Sequence, residues 1–153
     1  MRIAEFEKEW GWARSLTKDL LVACSEADLL ATPLPTIGPL WKIFRHVFRV
    51  QENYLAGIET GVTSFGFEGT HYIGSPSKSE LLALCENLGM RQNSLVSSSR
   101  SDILVHWEGE KVSREVHLVR LLSHETLHHG QLILIWKALG NPFPKSWSAW
   151  GEE

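Results

Sequence analysis

The chain has 153 residues, a formal charge of -3 and a sequence pI near 6.2. That length suits one domain with a substantial core, and the mild acidity leaves no basic stripe to neutralise phosphates, so nucleic-acid binding is not expected despite seven tryptophans. No apolar run approaches the roughly 20 residues needed to span a bilayer, and no basic segment followed by an apolar stretch begins the chain; a soluble cytoplasmic protein is the expectation.

From about Ile3 to Ala27 the apolar residues Phe6, Trp10, Ala13, Leu16, Leu20 and Cys24 recur every three or four positions, which predicts an amphipathic helix. Thr32-Pro33-Leu34-Pro35 ends it. Pro39 then opens a second helix that runs to about Ile58, with Ile43, Val47, Val50 and Tyr54 at helical spacing. His46 is embedded in that seam. Gly61 begins a long connection rich in glycine and aromatics, including Phe65, Phe67 and His71. Such a loop either carries function or crosses between helices that are not antiparallel neighbours.

Ser77 caps a third helix, with Glu80 three residues later as in a capping box, and the serines at 97 to 99 end it. Ile103 to Trp107, the turn Glu108-Gly109-Glu110 and Lys111 to Ser113 form a possible short hairpin. The last helix starts between Ser113 and Glu115 and continues to Leu139, where Gly140 and Pro142 stop it. Trp10, Trp41 and Trp136 fall in helices and read as packing, whereas Trp147 and Trp150 lie in the tail, free to cover a pocket or a partner. Cys24 and Cys85 lack metal-ligand spacing and read as buried small hydrophobes.

The last helix carries His124-Glu125-Thr126-Leu127-His128-His129-Gly130-Gln131. Imidazoles four residues apart project from one helical face and can grip one divalent ion. The spelling His-Glu-x-x-His also matches a zinc-protease signature. A protease of that type needs a further histidine or acid downstream, yet only Glu152 and Glu153 follow. The pair instead needs a ligand from elsewhere, and His46, pointing into a helical seam, is the first candidate, with His71 and His106 as the alternatives. His117, two turns before His124, is too far along the helix and reads as structural. Gln131 shares the face of His124 and is a candidate for orienting a ligand or substrate. Glu125, about 100° around the helix from His124, reads as a hydrogen-bond acceptor behind the ligands or a solvated residue, ahead of a general base. Asn53 and Arg49 are further candidates for pocket polarity.

A histidine in the second helix followed by a late His-x-x-x-His-x-Gly-Gln resembles the DinB and YfiT-like superfamily of metal-dependent enzymes, here through His46, His124, His128 and the run His129-Gly130-Gln131. The resemblance spans nearly the whole chain. It implies an all-α fold, a single four-helix bundle over residues 1–153, with zinc or nickel held by three histidines and frequent homodimers. Among characterised relatives are thiol-dependent transferases and isomerases, so a low-molecular-weight thiol is an implied co-substrate. Two functional readings follow: a hydrolase or thiol-dependent transferase acting on a small molecule, or a non-catalytic metal-binding bundle of a stress response.

Overall fold

The computed structural model describes residues 2–66, 73–98, 100 and 102–152. Its elements, in chain order, are α1 (Ile3–Ala23), α2 (Glu26–Leu30), α3 (Leu40–Thr60), α4 (Lys78–Ser98), strands β1 (Leu104–Trp107) and β2 (Glu110–Ser113), α5 (Arg114–Leu139) and a final 3-10 segment (Lys145–Trp150). The fold is therefore mostly helical with one small hairpin.

Local chemistry sets most of these boundaries. The first helix stops at Ala23, earlier than its apolar periodicity suggests, because Cys24 turns extended and Ser25 starts a new helix. There the Ser25 hydroxyl accepts from the Asp28 amide at 3.0 Å while the Asp28 carboxylate accepts from the Ser25 amide at 2.8 Å, the reciprocal pairing of a capping box. At α4 only half of the expected box forms: the Glu80 amide reaches the Ser77 hydroxyl at 3.4 Å, and the Ser77 amide donates instead to Ser75. The hairpin closes through Glu108 and Gly109, both at positive φ (46° and 86°), as a two-residue turn between twisted strands requires. Ser113 caps α5 by accepting from the Val116 amide, and Gly140 ends it at φ 74°.

Helix α1 packs against α4 and α5, and α3 packs against the same two. Side-chain pairs give the directions. Arg14 and Thr17 meet Glu125 and His129, so α1 and α5 run parallel; Tyr54 meets His117 while His46 meets His124, so α3 and α5 are antiparallel; and Lys78 reaches the carbonyls of Val22 and Cys24 while Lys18 meets Glu86, so α1 and α4 are antiparallel. It follows that α3 and α4 are parallel neighbours, and the chain must travel back along the molecule between them. The long connection after Gly61 makes that return. Its start bridges to the hairpin, where Thr63 donates to the His106 carbonyl, and by Gly74 it lies beside Arg45 near the opposite end of α3. Phe67 and His71 fall outside the described residues.

The core is divided along the helix axes. One apolar cluster gathers Leu16, Leu20, Phe44, Phe48, Leu81, Leu88, Leu132 and Trp136; the other gathers Phe6, Trp10, Tyr54, Ile58, Val96, Leu118 and Leu121. At or near the boundary between them on each helix sit buried polar residues: Arg14 and Thr17 on α1, Gln51 on α3, Gln92 on α4 and Glu125, His128 and His129 on α5. Gln51 donates to Gln92 at 3.0 Å, pairing two amides buried between α3 and α4. His117 is fully buried and meets the Tyr54 carbonyl at 2.9 Å, a structural role that joins α3 to α5.

Through Trp147 the tail covers the core. Trp147 is fully buried in the larger cluster and its indole donates to the Leu16 carbonyl at 2.9 Å. Trp150 packs on the exposed Trp12. Replacing Trp147 by alanine removes both a large buried ring and that hydrogen bond, and is expected to cost about 3–5 kcal/mol. Denaturant unfolding of the variant checks this; a loss of less than about 1 kcal/mol would show that the tail is not part of the cooperative core.

Candidate metal centre

Helix α5 presents two adjacent ladders to the interior. His124 and His128 face α3; Glu125 and His129, one residue on and so about 100° around the helix, face α1. Each ladder meets different chemistry.

The α1-facing ladder is a buried hydrogen-bond network. The Arg14 guanidinium donates to Glu125 Oε2 at 3.0 Å and lies over the rings of Trp10 and Phe48. Thr17 donates to Glu125 Oε1 at 2.5 Å and also meets His129 Nε2 at 2.9 Å. The Trp150 indole donates to His129 Nδ1 at 3.2 Å, which leaves the His129 proton on Nε2, directed at the Thr17 oxygen. Glu125 is thus a buried, fully engaged acceptor and not a solvated residue; its place in the helix spacing did not show that α1 would supply a cation to meet it. The sequence reading also missed Arg14 and Thr17. Their signal was present as two polar side chains inside the apolar seam of α1.

On the α3-facing ladder, His124 Nε2 stands 3.2 Å from His46 Nε2 and 3.0 Å from His128 Nε2. The ligating atoms of the three lie within 4.8 Å of one another. His128 Nδ1 is 2.7 Å from Gln131 Oε1, so that amide oxygen takes the Nδ1 proton and turns the Nε2 lone pair towards the other rings. Three imidazole nitrogens facing each other cannot all be satisfied by protons, because a proton on His124 Nε2 serves one neighbour and leaves the other opposed. A cation between them satisfies all three. The spacing agrees, since nitrogens sharing one ion at bonds of about 2.0–2.1 Å stand roughly 3 Å apart.

Electrostatics prepare the rings for that role. Burial pushes the His124 imidazole down to about 3, and positive neighbours add to the effect. His46 is exposed, with its ring against those of His124 and His128; it is lowered first by partial loss of solvent there, then by His128, Arg49 and Arg45, and His128 is lowered by burial, partly opposed by Gln131. All three are neutral at physiological pH, the form that ligates. His46 and His124 also form one side of a cleft of about 480 Å³, whose other lining residues are Arg45, Arg49, Val50, Asn53, Tyr54, Phe65, Gly66 and Trp107. Asn53, singled out from the sequence, lies in this cleft with the three-histidine cluster at its edge, whereas Gln131 lies behind His128. His106 is exposed on β1, and among the described residues the cluster contains His46, His124 and His128 alone. His71 falls outside the described residues.

A model of the DinB superfamily matches residues 9–132 of the chain. Two crystal structures of DinB-like proteins share its fold at low identity. One is from Bacillus subtilis, with a TM-score of 0.73 and 16% identity over 93% of this chain and 96% of that one. The other is from Bacillus cereus, with a TM-score of 0.76 and 17% identity over 91% and 93%. Among proteins of curated function none matches.

Because His46, His124 and His128 are held neutral below the ordinary value of 6.5, the metal-free protein should lose stability on acidification. In the unfolded chain these groups take up protons near 6.5, whereas the folded protein resists until lower pH. Their contribution is therefore intact above about 6.5 and is lost as pH falls from there towards the folded values. Denaturant midpoints of metal-free protein at neutral pH and near pH 5 check this; an unchanged midpoint would contradict it.

Proposed function

Since the chain belongs to the DinB superfamily, we propose that it is a metal-dependent enzyme in which His46, His124 and His128 hold one divalent ion and a small molecule reacts in the adjoining cleft. The observation that carries this reading is the convergence of three Nε2 atoms at the edge of a cleft lined by His46 and His124. We read the four long helices α1, α3, α4 and α5 as a four-helix bundle built around that site.

Three neutral imidazoles suit zinc or nickel and leave positions for water or substrate. When bound, such an ion supplies Lewis acidity, polarising an oxygen or sulfur donor or lowering the pKa of bound water. The protein's own residues do the positioning. Gln131 fixes the tautomer of His128, and the Arg14 and Thr17 contacts keep Glu125 away from the cleft, so a protease-type role for Glu125 as general base finds no support. Cys24 is pushed up to about 12 by burial, and Cys85 is also raised by burial, with Arg14 beside it working the other way. Neither is a ready nucleophile. Any thiol chemistry would need a low-molecular-weight thiol from solution, which places a thiol-dependent transferase beside a hydrolase as the reaction classes. A cleft beside the cluster favours turnover over a non-catalytic metal-binding role in a stress response, which needs no such space.

Two free, buried cysteines agree with a reducing cytoplasm, and no helix of the described residues is long and apolar enough to cross a membrane. The exposed apolar side chains Val116, Leu127 and Leu134 on α5 and Trp12 on α1 support a homodimer. Light scattering should then give about twice 17.3 kDa; a mass that stays at one chain when the protein is concentrated refutes the dimer.

Metal binding is tested by calorimetric titration of untagged protein with zinc and nickel. Substituting His46, His124 or His128 by alanine should each abolish stoichiometric uptake, while His106→Ala should leave it unchanged. Full affinity in His46→Ala would remove that residue from the ligand set.

A further inference from the structure

Helix α5 is apolar on two opposite sides, and the fold uses only one of them. Its inward side buries Leu118, Leu121, Leu132 and Ile135. On the outward side Val116, Val119, Ser123, Leu127, Gly130 and Leu134 recur every three or four positions, and all six are exposed. From residue 121 to residue 136 the only charged side chain is Glu125, which is buried. The helix packs against α1, α3 and the hairpin, and the exposure of Leu127 (65%) and Leu134 (60%) shows that none of these covers the stripe. A helix apolar all round belongs inside an assembly and not at its surface.

Three details of the stripe say what covers it. Gly130 sits in mid-helix, where glycine is destabilising relative to alanine, yet a Cβ placed there would meet nothing within 4 Å. The chain therefore has no internal use for the missing side chain, whereas a second helix crossing there could approach more closely. The stripe is also symmetric about residue 125: Val116 and Leu134 lie nine positions to either side of it, Ser123 and Leu127 two positions. An isologous interface needs such self-complementarity, because the same patch must serve both partners. Charge then fixes the direction. Glu115 and Lys137 lie near opposite ends of α5 and only about 40° apart around the helix. In a parallel pair each would face its own kind, and in an antiparallel pair they face each other.

We propose that the outward stripe of α5 docks on the same stripe of a second copy of this chain, antiparallel and centred near residue 125, so that Leu127 packs on the partner's Ser123 and Val116 on the partner's Leu134. The assignment rests on the homodimer reading, to which it adds the surface and the register, and it is independent of the metal. Trp12 and Trp150 pack on each other, and the Trp150 indole meets His129 of α5. Both rings are partly exposed, at 39% and 40%, and they widen the apolar face on its α1 side beyond a single helix.

The test uses the full chain and reads surface and register separately. Leu127→Glu sets a charge at the centre of the stripe and Gly130→Leu sets bulk there; neither position packs in the core, and circular dichroism confirms the fold. Each should weaken dimerisation at least about tenfold by light scattering across a dilution series, while Met90→Glu on α4, equally exposed, should not. If one of the two stripe variants does not fold, the other decides. For the register, Ser123→Cys and Leu127→Cys chains are oxidised alone and after mixing under reducing conditions. The mixture should give several-fold more cross-linked dimer than either variant alone, because only the mixed pair sets the two thiols opposite each other; Cys24 and Cys85 are buried and present in all samples. A wild-type chain that stays monomeric overturns the homodimer reading and this interface together. A dimer that keeps its affinity in the stripe variants, or that cross-links no better in the mixture, overturns the interface alone.

Discussion

Everything in the centre of this molecule depends on one buried charge pair, Arg14 with Glu125. Its side chains are 10% and 1% exposed, so both ions have left bulk water and each relies on the other and on Thr17 for compensation. Removing one partner of such a pair leaves the other uncompensated, a loss on the order of 3–5 kcal/mol. That sensitivity makes the pair a rotational lock. Glu125 can meet Arg14 only if α5 turns its Glu125 and His129 ladder towards α1, and helix geometry then forces His124 and His128 towards α3. The geometry of the three-histidine cluster is thus set from the far side of the helix that carries two of its members.

The direction of the chain supplies the second constraint. Parallel packing of α3 and α4 obliges the connection after Gly61 to return along the molecule, and in doing so it brings Phe65 and Gly66 into the cleft wall. The hairpin is tied to the same place, since Thr63 and His106 share a backbone hydrogen bond and Trp107 lines the cleft. The cleft thereby arises from features that a simpler up-and-down arrangement of helices would lack. Retention of the fold in DinB-like proteins at only 16% and 17% identity agrees with a structure specified by helix directions and apolar spacing more than by individual side chains.

Most of the helices were legible because their apolar spacing is regular and their ends carry strong signals: Pro39 before α3, Ser77 before α4, Ser113 and Gly140 around α5. The hairpin was readable from Glu108-Gly109 between short alternating runs. What misled was a local competition. The apolar repeat of α1 runs on through Cys24, but the Ser25 and Asp28 pair nucleates a separate helix, and periodicity alone does not register that. At the site, the spacing of His124 and His128 and the place of His46 in the second long helix pointed to three residues that the fold does bring together, although His46 is exposed and does not point into the core as its apolar neighbours suggested. The partners of Glu125 were not readable, because a contact between residues 111 positions apart leaves no mark in either local pattern. Arg49 and Asn53, marked from the sequence as candidates for pocket polarity, do line the cleft, whereas Arg45 looked like an ordinary solvated position.

The central claim is that three histidines of this chain share one metal ion and leave it open towards the cleft. X-ray absorption at the metal edge of the zinc-loaded full chain tests it most directly. The expected result is a shell containing three imidazole nitrogens at about 2.0–2.1 Å together with at least one exchangeable oxygen ligand. A shell closed by four protein ligands, one containing sulfur, or one unchanged in His46→Ala would contradict it.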